Sequence, residues 1–352
     1  MARSINKGPK PSGGFAKVSS KSLKEAQEKS AKRLAPRPET RPLGKAGQAA
    51  GRRESVYADT VNTLQAALLR AQKHGIAKVD ARMLLLHVLG KDPQDAAWLI
   101  AHEQEVIGDA QTTAYGDACA RRRAGEPVAY IVGHKAFYGL RLATDARVLD
   151  PRDDTEALVD WALTLQARRV LDLGTGSGAI ALALKSNRPD WQVVAVDAST
   201  DALAVAADNA ARLQLTVGFH HGNWFTPFTT GGNDQATLGT FELIVSNPPY
   251  IASGDPHLPA LHHEPVAALV SGVDGLDDIR RIVAGAPAHL APGGWLLLEH
   301  GHDQAAPVRQ LLVETGFSEV QSRPDLAGIE RCSGGRWNGV SNRLEAGIPT
   351  PI

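Results

Sequence analysis

The sequence predicts an α/β fold: a doubly wound, mostly parallel sheet preceded by a small helical-bundle domain. Three observations carry this. From residue 168 onward, short apolar runs alternate with helical patterns, the signature of strands joined by crossover helices. The first run flows into a glycine turn, Gly174-Thr175-Gly176-Ser177-Gly178. Before it, residues 56–124 carry apolar side chains at helical spacing.

Size and composition suit this reading. The chain has 352 residues, 43% hydrophobic and 22% charged, ordinary values for a globular protein with a core. Lys+Arg and Asp+Glu both total 38, yet residues 1–53 hold 14 basic side chains and three acids. A basic tail therefore precedes an acidic body, and such a body opposes broad contact with nucleic-acid phosphates. Residues 1–55 hold few large apolar side chains, so they are expected to be a disordered basic extension. Two cysteines, Cys119 and Cys332, cannot build a disulfide framework. No apolar stretch reaches membrane-spanning length and the start lacks a signal-peptide core, so a cytoplasmic protein is expected. A mitochondrial matrix address is the alternative, opposed by Glu25, Glu28 and Glu39.

The elements follow in order. Leu64, Leu68 and Ala71, then Met83, Leu86 and Leu89, mark a bundle of four or five helices over 56–124. Gly125-Glu126-Pro127 ends it, and residues 125–157 read as a β-hairpin linker. Within 158–340, strands are expected at Arg169–Leu173, Gln192–Val196, Thr216–His220, Glu242–Ser246, Trp295–Glu299, Phe317–Gln321 and Cys332–Trp337. Helices are expected up to Ser186 and over Asp201–Leu213, Asp277–Leu290 and Ala305–Glu314. Residues 341–352 form a short tail.

The glycine turn offers a cofactor site. Glycines let the backbone turn sharply and approach a ligand. Asp197 lies 19 residues after Gly178, at the end of the next strand, where an acid can accept from ribose hydroxyls. Gly174-x-Gly176-x-x-Ala179 also satisfies the dinucleotide fingerprint, so the loop alone does not name the cofactor. Asp172, two residues before the first glycine, suits the ammonium of a methionine moiety better than a pyrophosphate. With three closely spaced glycines, it tilts the choice towards S-adenosylmethionine over a nicotinamide.

The second signal is Asn247-Pro248-Pro249-Tyr250, directly after the strand Glu242–Ser246. Sites of open α/β sheets lie beyond strand carboxyl ends. Two prolines fix φ and remove two N–H donors. The Pro248 carbonyl and the Asn247 side-chain carbonyl are then rigid acceptors, and two acceptors facing one point suit a planar –NH2 group. Tyr250 can supply an aromatic wall. Gripping both hydrogens of a poorly nucleophilic amide nitrogen orients it and favours the charge that grows on it.

These residues resemble the class I S-adenosylmethionine-dependent methyltransferases. The wider pattern resembles the peptide chain release factor N5-glutamine methyltransferase family (PrmC/HemK) over about residues 56–337. Further stretches carry the likeness: Arg123 to Pro127 with Tyr130-Ile131, Pro151-Arg152, Asp154-Thr155-Glu156, Glu264-Pro265, Leu298-Glu299-His300-Gly301, and Asp325 to Gly328 with Arg331. The resemblance implies a seven-stranded Rossmann-like methyltransferase domain, with the helical domain recognising the release factor. It implies methylation of the glutamine in the Gly-Gly-Gln motif of class 1 release factors. It assigns cofactor binding to Asp172, Gly174, Thr175, Gly176, Ser177, Gly178, Asp197, Trp224 and Asn247, with Trp224 near the adenine. Catalysis and substrate binding fall to Asn247, Pro248, Pro249 and Tyr250, with Arg152 a further substrate contact or a surface ion pair.

The sequence departs from the family where Asn223 replaces a frequent acid, where Asp150 and Asp153 stand in the linker, and at His262-His263. His220-His221, His262-His263 and His300-x-His302 lack acidic or cysteine partners at ligand spacing, so no metal is expected. His300 reads as a structural histidine. A monomer without stable nucleic-acid binding is expected. The alternatives are glutamine methylation of a ribosomal protein, amino-group methylation of a nucleic-acid base, a nicotinamide oxidoreductase, and a non-catalytic assembly factor.

Overall fold

The computed structural model describes residues 62–228, 239–325 and 327–339; the basic extension and the short tail named above lie outside the described residues. The described chain opens with helices α1 (Leu64–Lys73), α2 (Lys78–Val88), α3 (Ala96–Ala101) and α4 (Asp109–Arg123). Their starts follow from side-chain capping: the Thr63 hydroxyl accepts from Ala66 N at 3.2 Å, and the Asp95 carboxylate accepts from Trp98 N at 2.9 Å. Leu64, Ala67, Ala71, Leu84, Leu85 and Leu99 form the bundle's buried centre. Arg121, Arg122 and Arg123 fill the last turn of α4, where cations suit the helix dipole.

The linker differs from its expected form. Val128–Val132 is a fifth short helix, α5, started by Pro127 and ended by Gly133 at φ 80. Ile131 and Val132 bury into the bundle core, so α5 belongs with the helices. A five-residue apolar run reads equally well as strand or helix, and tertiary packing decided it. The hairpin proper is β1 (His134–Phe137) paired antiparallel with β2 (Leu140–Ala143). Tyr138 and Gly139 form its two-residue turn, both at positive φ, which matches the twist of a tight hairpin. Helix α6 (Glu156–Thr164), absent from the sequence reading, follows a 3-10 turn at Asp153–Thr155.

The sheet contains seven strands: β3 (Arg169–Leu173), β4 (Gln192–Asp197), β5 (Gly218–His221), β6 (Phe241–Ser246), β7 (Leu290–Glu299), β8 (Ser318–Pro324) and β9 (Glu330–Arg336). Their spatial order is β5-β4-β3-β6-β7-β9-β8, with β9 antiparallel to both its neighbours. The connecting helices are α7 (Ala179–Asn187), α8 (Thr200–Leu213), α9 (Asp277–Gly285) and α10 (Ala305–Thr315). Helix α9 ends earlier than expected, giving way to a 3-10 turn containing Pro287, and β7 begins at Leu290. A proline inside a helix removes a hydrogen bond and clashes with the preceding turn. Two buried clusters cover the sheet, one around Trp161, Leu182 and Leu243, the other around Leu171, Ile244, Ile282 and Leu312.

The strand order reverses between β3 and β6, which places the ligand crevice beyond their carboxyl ends. Leu173 and Ser246 pair at the end of that parallel register, and the Ser246 hydroxyl donates to Leu173 O at 2.6 Å. The glycine loop and the Asn-Pro-Pro-Tyr turn therefore leave adjacent strands at the same level. Among the described residues, no helix is long and apolar enough to cross a membrane.

Candidate active site

The glycine loop is held from three sides. Gly174 N and Thr175 N both donate to Val196 O, at 2.8 and 3.0 Å, which ties the loop to β4. Gly176 N donates to Asp197 Oδ2 at 2.8 Å, and Ser199 N donates to Asp197 Oδ1 at 2.9 Å. Asn209 of α8, almost fully buried, donates to Ser177 O at 3.0 Å and to Ala143 O at 3.1 Å. It thus joins the hairpin to the loop, a role the sequence did not reveal. Gly174 sits at φ 72, and a Cβ there would lie 3.2 Å from the Trp224 ring. Glycine therefore lets the indole lie against the loop.

A cavity of about 390 Å³ opens here, lined by Gly174, Gly176, Asp197, Asn223, Trp224, Asn247 and Pro249 among others. Asp197 faces it with a carboxylate whose oxygens each accept one backbone N–H and keep further lone pairs for hydroxyl donors. Burial raises its pKa, while the N–H groups of Ser199 and Gly176 oppose the shift. Trp224 is held at φ 52, and its buried Nε1 lacks a hydrogen-bond partner. An acidic edge, a backbone cradle and an indole wall fit a nucleoside-bearing cofactor.

Asp172 stands elsewhere. It is fully buried and does not line this cavity. Its Oδ2 accepts from Thr175 Oγ1 at 2.7 Å and from Ala181 N at 3.2 Å, so it braces the loop from beneath. Its other oxygen, Oδ1, is buried without a hydrogen-bond partner, so the brace leaves one acceptor over. Thr175 and Ser177 are buried as well and do not line the cavity, and neither does Gly178, which caps α7 at φ 84. Periodicity and spacing could not reveal which way the Asp172 side chain points.

Desolvation pushes the Asp172 carboxyl up to about 7. A raised acid favours the folded state while protonated and loses that contribution as pH rises from its ordinary value of 3.8 towards 7. Asp172→Asn should abolish this dependence. Its stability relative to the native chain is expected to improve by more than about 1 kcal/mol between pH 5 and pH 8, read by denaturant unfolding. Parallel curves across that range would contradict the assignment.

The Asn-Pro-Pro-Tyr turn is equally supported. Asn247 Nδ2 donates to Thr155 Oγ1 at 3.1 Å. Gln304 Nε2 donates to Tyr250 O at 3.0 Å, and Gln304 Oε1 accepts from Gly301 N at 2.8 Å. Gly275, at φ 76, lies so close beneath that an added Cβ would fall 2.2 Å from Tyr250 O. The Tyr250 hydroxyl points to Glu299 Oε1 at 3.5 Å. Glu299 is 1% exposed, and burial pushes its pKa up to about 7. Thr155, Gln304 and Gly275 are site residues that the sequence reading missed; Thr155 was visible only as part of a family stretch.

A second cavity, of about 170 Å³, adjoins the first and is lined by Leu149, Arg152, Asn247, Tyr250 and Leu269 among others. Asn247 and Leu149 line both cavities. Arg152 lines the smaller one and also pairs with the buried Glu264 at 2.6 Å, so its ion pair lies inside the fold and not on the surface. Glu264 is itself buried, and its other oxygen accepts from Asp150 N at 3.3 Å. A larger cavity, about 810 Å³, lies between the bundle and the linker, and Arg152 and Leu261 line it too. Three cavities therefore run in sequence from the bundle face to the glycine loop.

The remaining departures and histidines have structural places. Asp153 pairs with Lys135 at 2.9 Å. His263 Nε2 donates to Ala124 O at 3.1 Å, which joins the His262-His263 segment to the end of α4. His300 is fully buried between Gly301 O at 2.9 Å and Ser333 Oγ at 2.7 Å, the structural role expected of it. Glu156 caps the hairpin turn through Tyr138 N at 2.7 Å.

Residues 63–133 match the model of the PrmC N-terminal domain, and residues 150–268 match that of the methyltransferase small domain. The first match spans α5, in agreement with its packing into the bundle. A release factor glutamine methyltransferase of Xylella fastidiosa is 47% identical over 281 residues, covering 78% of this chain and 98% of the relative. One from Bordetella pertussis is 48% identical over 267 residues, covering 74% and 95%. One from Pseudomonas aeruginosa is 46% identical over 267 residues, covering 74% and 93%. With likeness of this depth running through both the bundle and the sheet, the chain belongs to the release factor glutamine methyltransferase family.

Proposed function

We propose that this chain transfers a methyl group from S-adenosylmethionine to the side-chain amide nitrogen of a glutamine, in the Gly-Gly-Gln motif of a class 1 peptide chain release factor. The observation that carries this is the line of three cavities meeting at Arg152 and Asn247. The widest suits a loop of a folded protein, the smallest a single side chain, and the third a cofactor. Asp80, Asp92, Asp150, Asp153 and Glu264 line the widest cavity beside Arg122, Lys135, Arg141 and Arg152, a mixed charge that opposes a phosphate backbone.

When bound, S-adenosylmethionine supplies the electrophilic methyl group. Asp197 would hold its ribose, the backbone at Gly174 and Gly176 its methionine portion, and Asn223 and Trp224 its adenine. Asn247 Oδ1 and Pro248 O accept the two amide hydrogens of the glutamine. They withdraw its nitrogen from rotation and stabilise the positive charge that grows there. Tyr250 closes the small cavity against water. No strong base is needed, because an N-methylated, N-protonated amide is itself a strong acid and releases its proton to solvent. The helical bundle and Arg152 would receive the release factor, and the bacterial cytoplasm is the compartment where both meet.

Labelled methyl transfer to a panel of acceptors tests this. Purified class 1 release factor should take up label, and the same factor with its Gly-Gly-Gln glutamine changed to alanine should not. Equal labelling of the two, or preference for a ribosomal protein or an oligonucleotide, would overturn the substrate assignment.

A further inference from the structure

The clamp requires Asn247 to present its oxygen. An asparagine amide turned by half a rotation offers –NH2 instead, and two –NH2 groups repel. The intrinsic difference between the two orientations is small, so something must choose between them.

The structure supplies a chooser. Thr155, 3% exposed, accepts from Asn247 Nδ2 at 3.1 Å across 92 residues of sequence. A hydroxyl alone would not suffice, because it can donate as readily as accept. On the neighbouring strand, Ser246 pairs with Leu298, so Asn247 and Glu299 emerge side by side. Glu299 is almost fully buried, which pushes its carboxyl up to about 7, while the hydroxyls of Thr155 and Tyr250 favour the charged form that prevails above that pH. One of its oxygens, Oε2, is buried without a hydrogen-bond partner. An ionised carboxylate only accepts. The Thr155 proton is therefore drawn to Glu299, the Thr155 lone pairs face Asn247, Nδ2 faces Thr155, and Oδ1 is left for the substrate.

We propose that Thr155 and Glu299 are positioning residues that fix the amide orientation of Asn247 and so set the polarity of the substrate clamp. This rests on the glutamine-methylation reading above and deepens it. Neither residue touches the reacting atoms in this account; both act through Asn247.

The test uses the full chain with release factor and labelled S-adenosylmethionine. Thr155→Val keeps the shape and removes the hydroxyl. It should lower kcat about 10- to 100-fold, with the KM for S-adenosylmethionine within about twofold of the native value. Thr155→Ser restores the hydroxyl and should recover kcat to within about threefold. Since Thr155 acts through Asn247, Asn247→Ala with Thr155→Val should be no slower than Asn247→Ala alone. Should the valine variant fail to fold, as judged by thermal melting, Thr155→Ala carries the same expectation.

Native kcat in the valine variant, a serine variant as slow as valine, or losses that multiply in the double variant would each overturn the proposal. The native chain in the same assay separates the two readings. Its failure to label release factor would sink the activity, whereas equal labelling by native and valine chains would sink the positioning role alone.

Discussion

Asn247→Ala is expected to lower kcat for release factor methylation by about 100-fold or more. S-adenosylmethionine affinity should stay within a few-fold, as measured by calorimetric titration beside steady-state kinetics. The size of the loss follows from the chemistry. An amide nitrogen shares its lone pair with its carbonyl, so it attacks only when held in place and when charge on it is stabilised. In the proposed clamp, Asn247 is one of two fixed acceptors for that charge. It stands where the 390 Å³ and 170 Å³ cavities meet. Alanine removes the acceptor and leaves Thr155 Oγ1 without the donor it now receives at 3.1 Å. The cofactor cradle of Gly174, Gly176, Asp197 and Trp224 stays in place. Turnover and affinity should therefore separate, and an equal fall in both would mean that Asn247 chiefly holds the cofactor.

Asp197→Ala should do the reverse and strike affinity first. Its carboxylate accepts from Gly176 N at 2.8 Å and from Ser199 N at 2.9 Å, and it lines the larger cavity. Alanine removes the charged acceptor available to ribose hydroxyls. It also strands a loop N–H whose position defines the cradle. Charge-assisted hydrogen bonds are worth about 1.5–3 kcal/mol each, so the dissociation constant for S-adenosylmethionine should rise at least about tenfold. Asp197→Asn should fall between, since it keeps an oxygen and loses the charge. Unchanged affinity in the alanine variant would remove Asp197 from the cofactor site.

How far the site was legible before folding depends on what each residue contributes. The glycine loop and the Asn-Pro-Pro-Tyr turn were legible because backbone constraint does their work, and glycine and proline announce constraint in sequence. Strands β3 and β6 were found nearly to the residue because both are buried runs with sharp ends. Asp172 is legible as a carboxyl beside the loop but not as its brace, because spacing shows where a carboxyl starts and burial decides what it meets. Thr155, Gln304, Asn209 and Gly275 were out of reach for another reason. Each acts across dozens of residues on a partner that only the sheet topology brings near. Helix α5 was misread because five apolar residues carry no period, and the bundle core chose for them. Helix α9 was overextended because its apolar face continues in sequence past the point where Pro287 breaks it.

The most direct measurement locates the methyl group. Release factor treated with this chain and S-adenosylmethionine would be digested, and the peptide carrying Gly-Gly-Gln fragmented in a mass spectrometer. The expected result is one added methyl group on the glutamine side-chain amide, and no added methyl anywhere when Asn247→Ala replaces the native chain for the same brief reaction. A methyl group on any other residue, or on the glutamine at the native rate without Asn247, would contradict it.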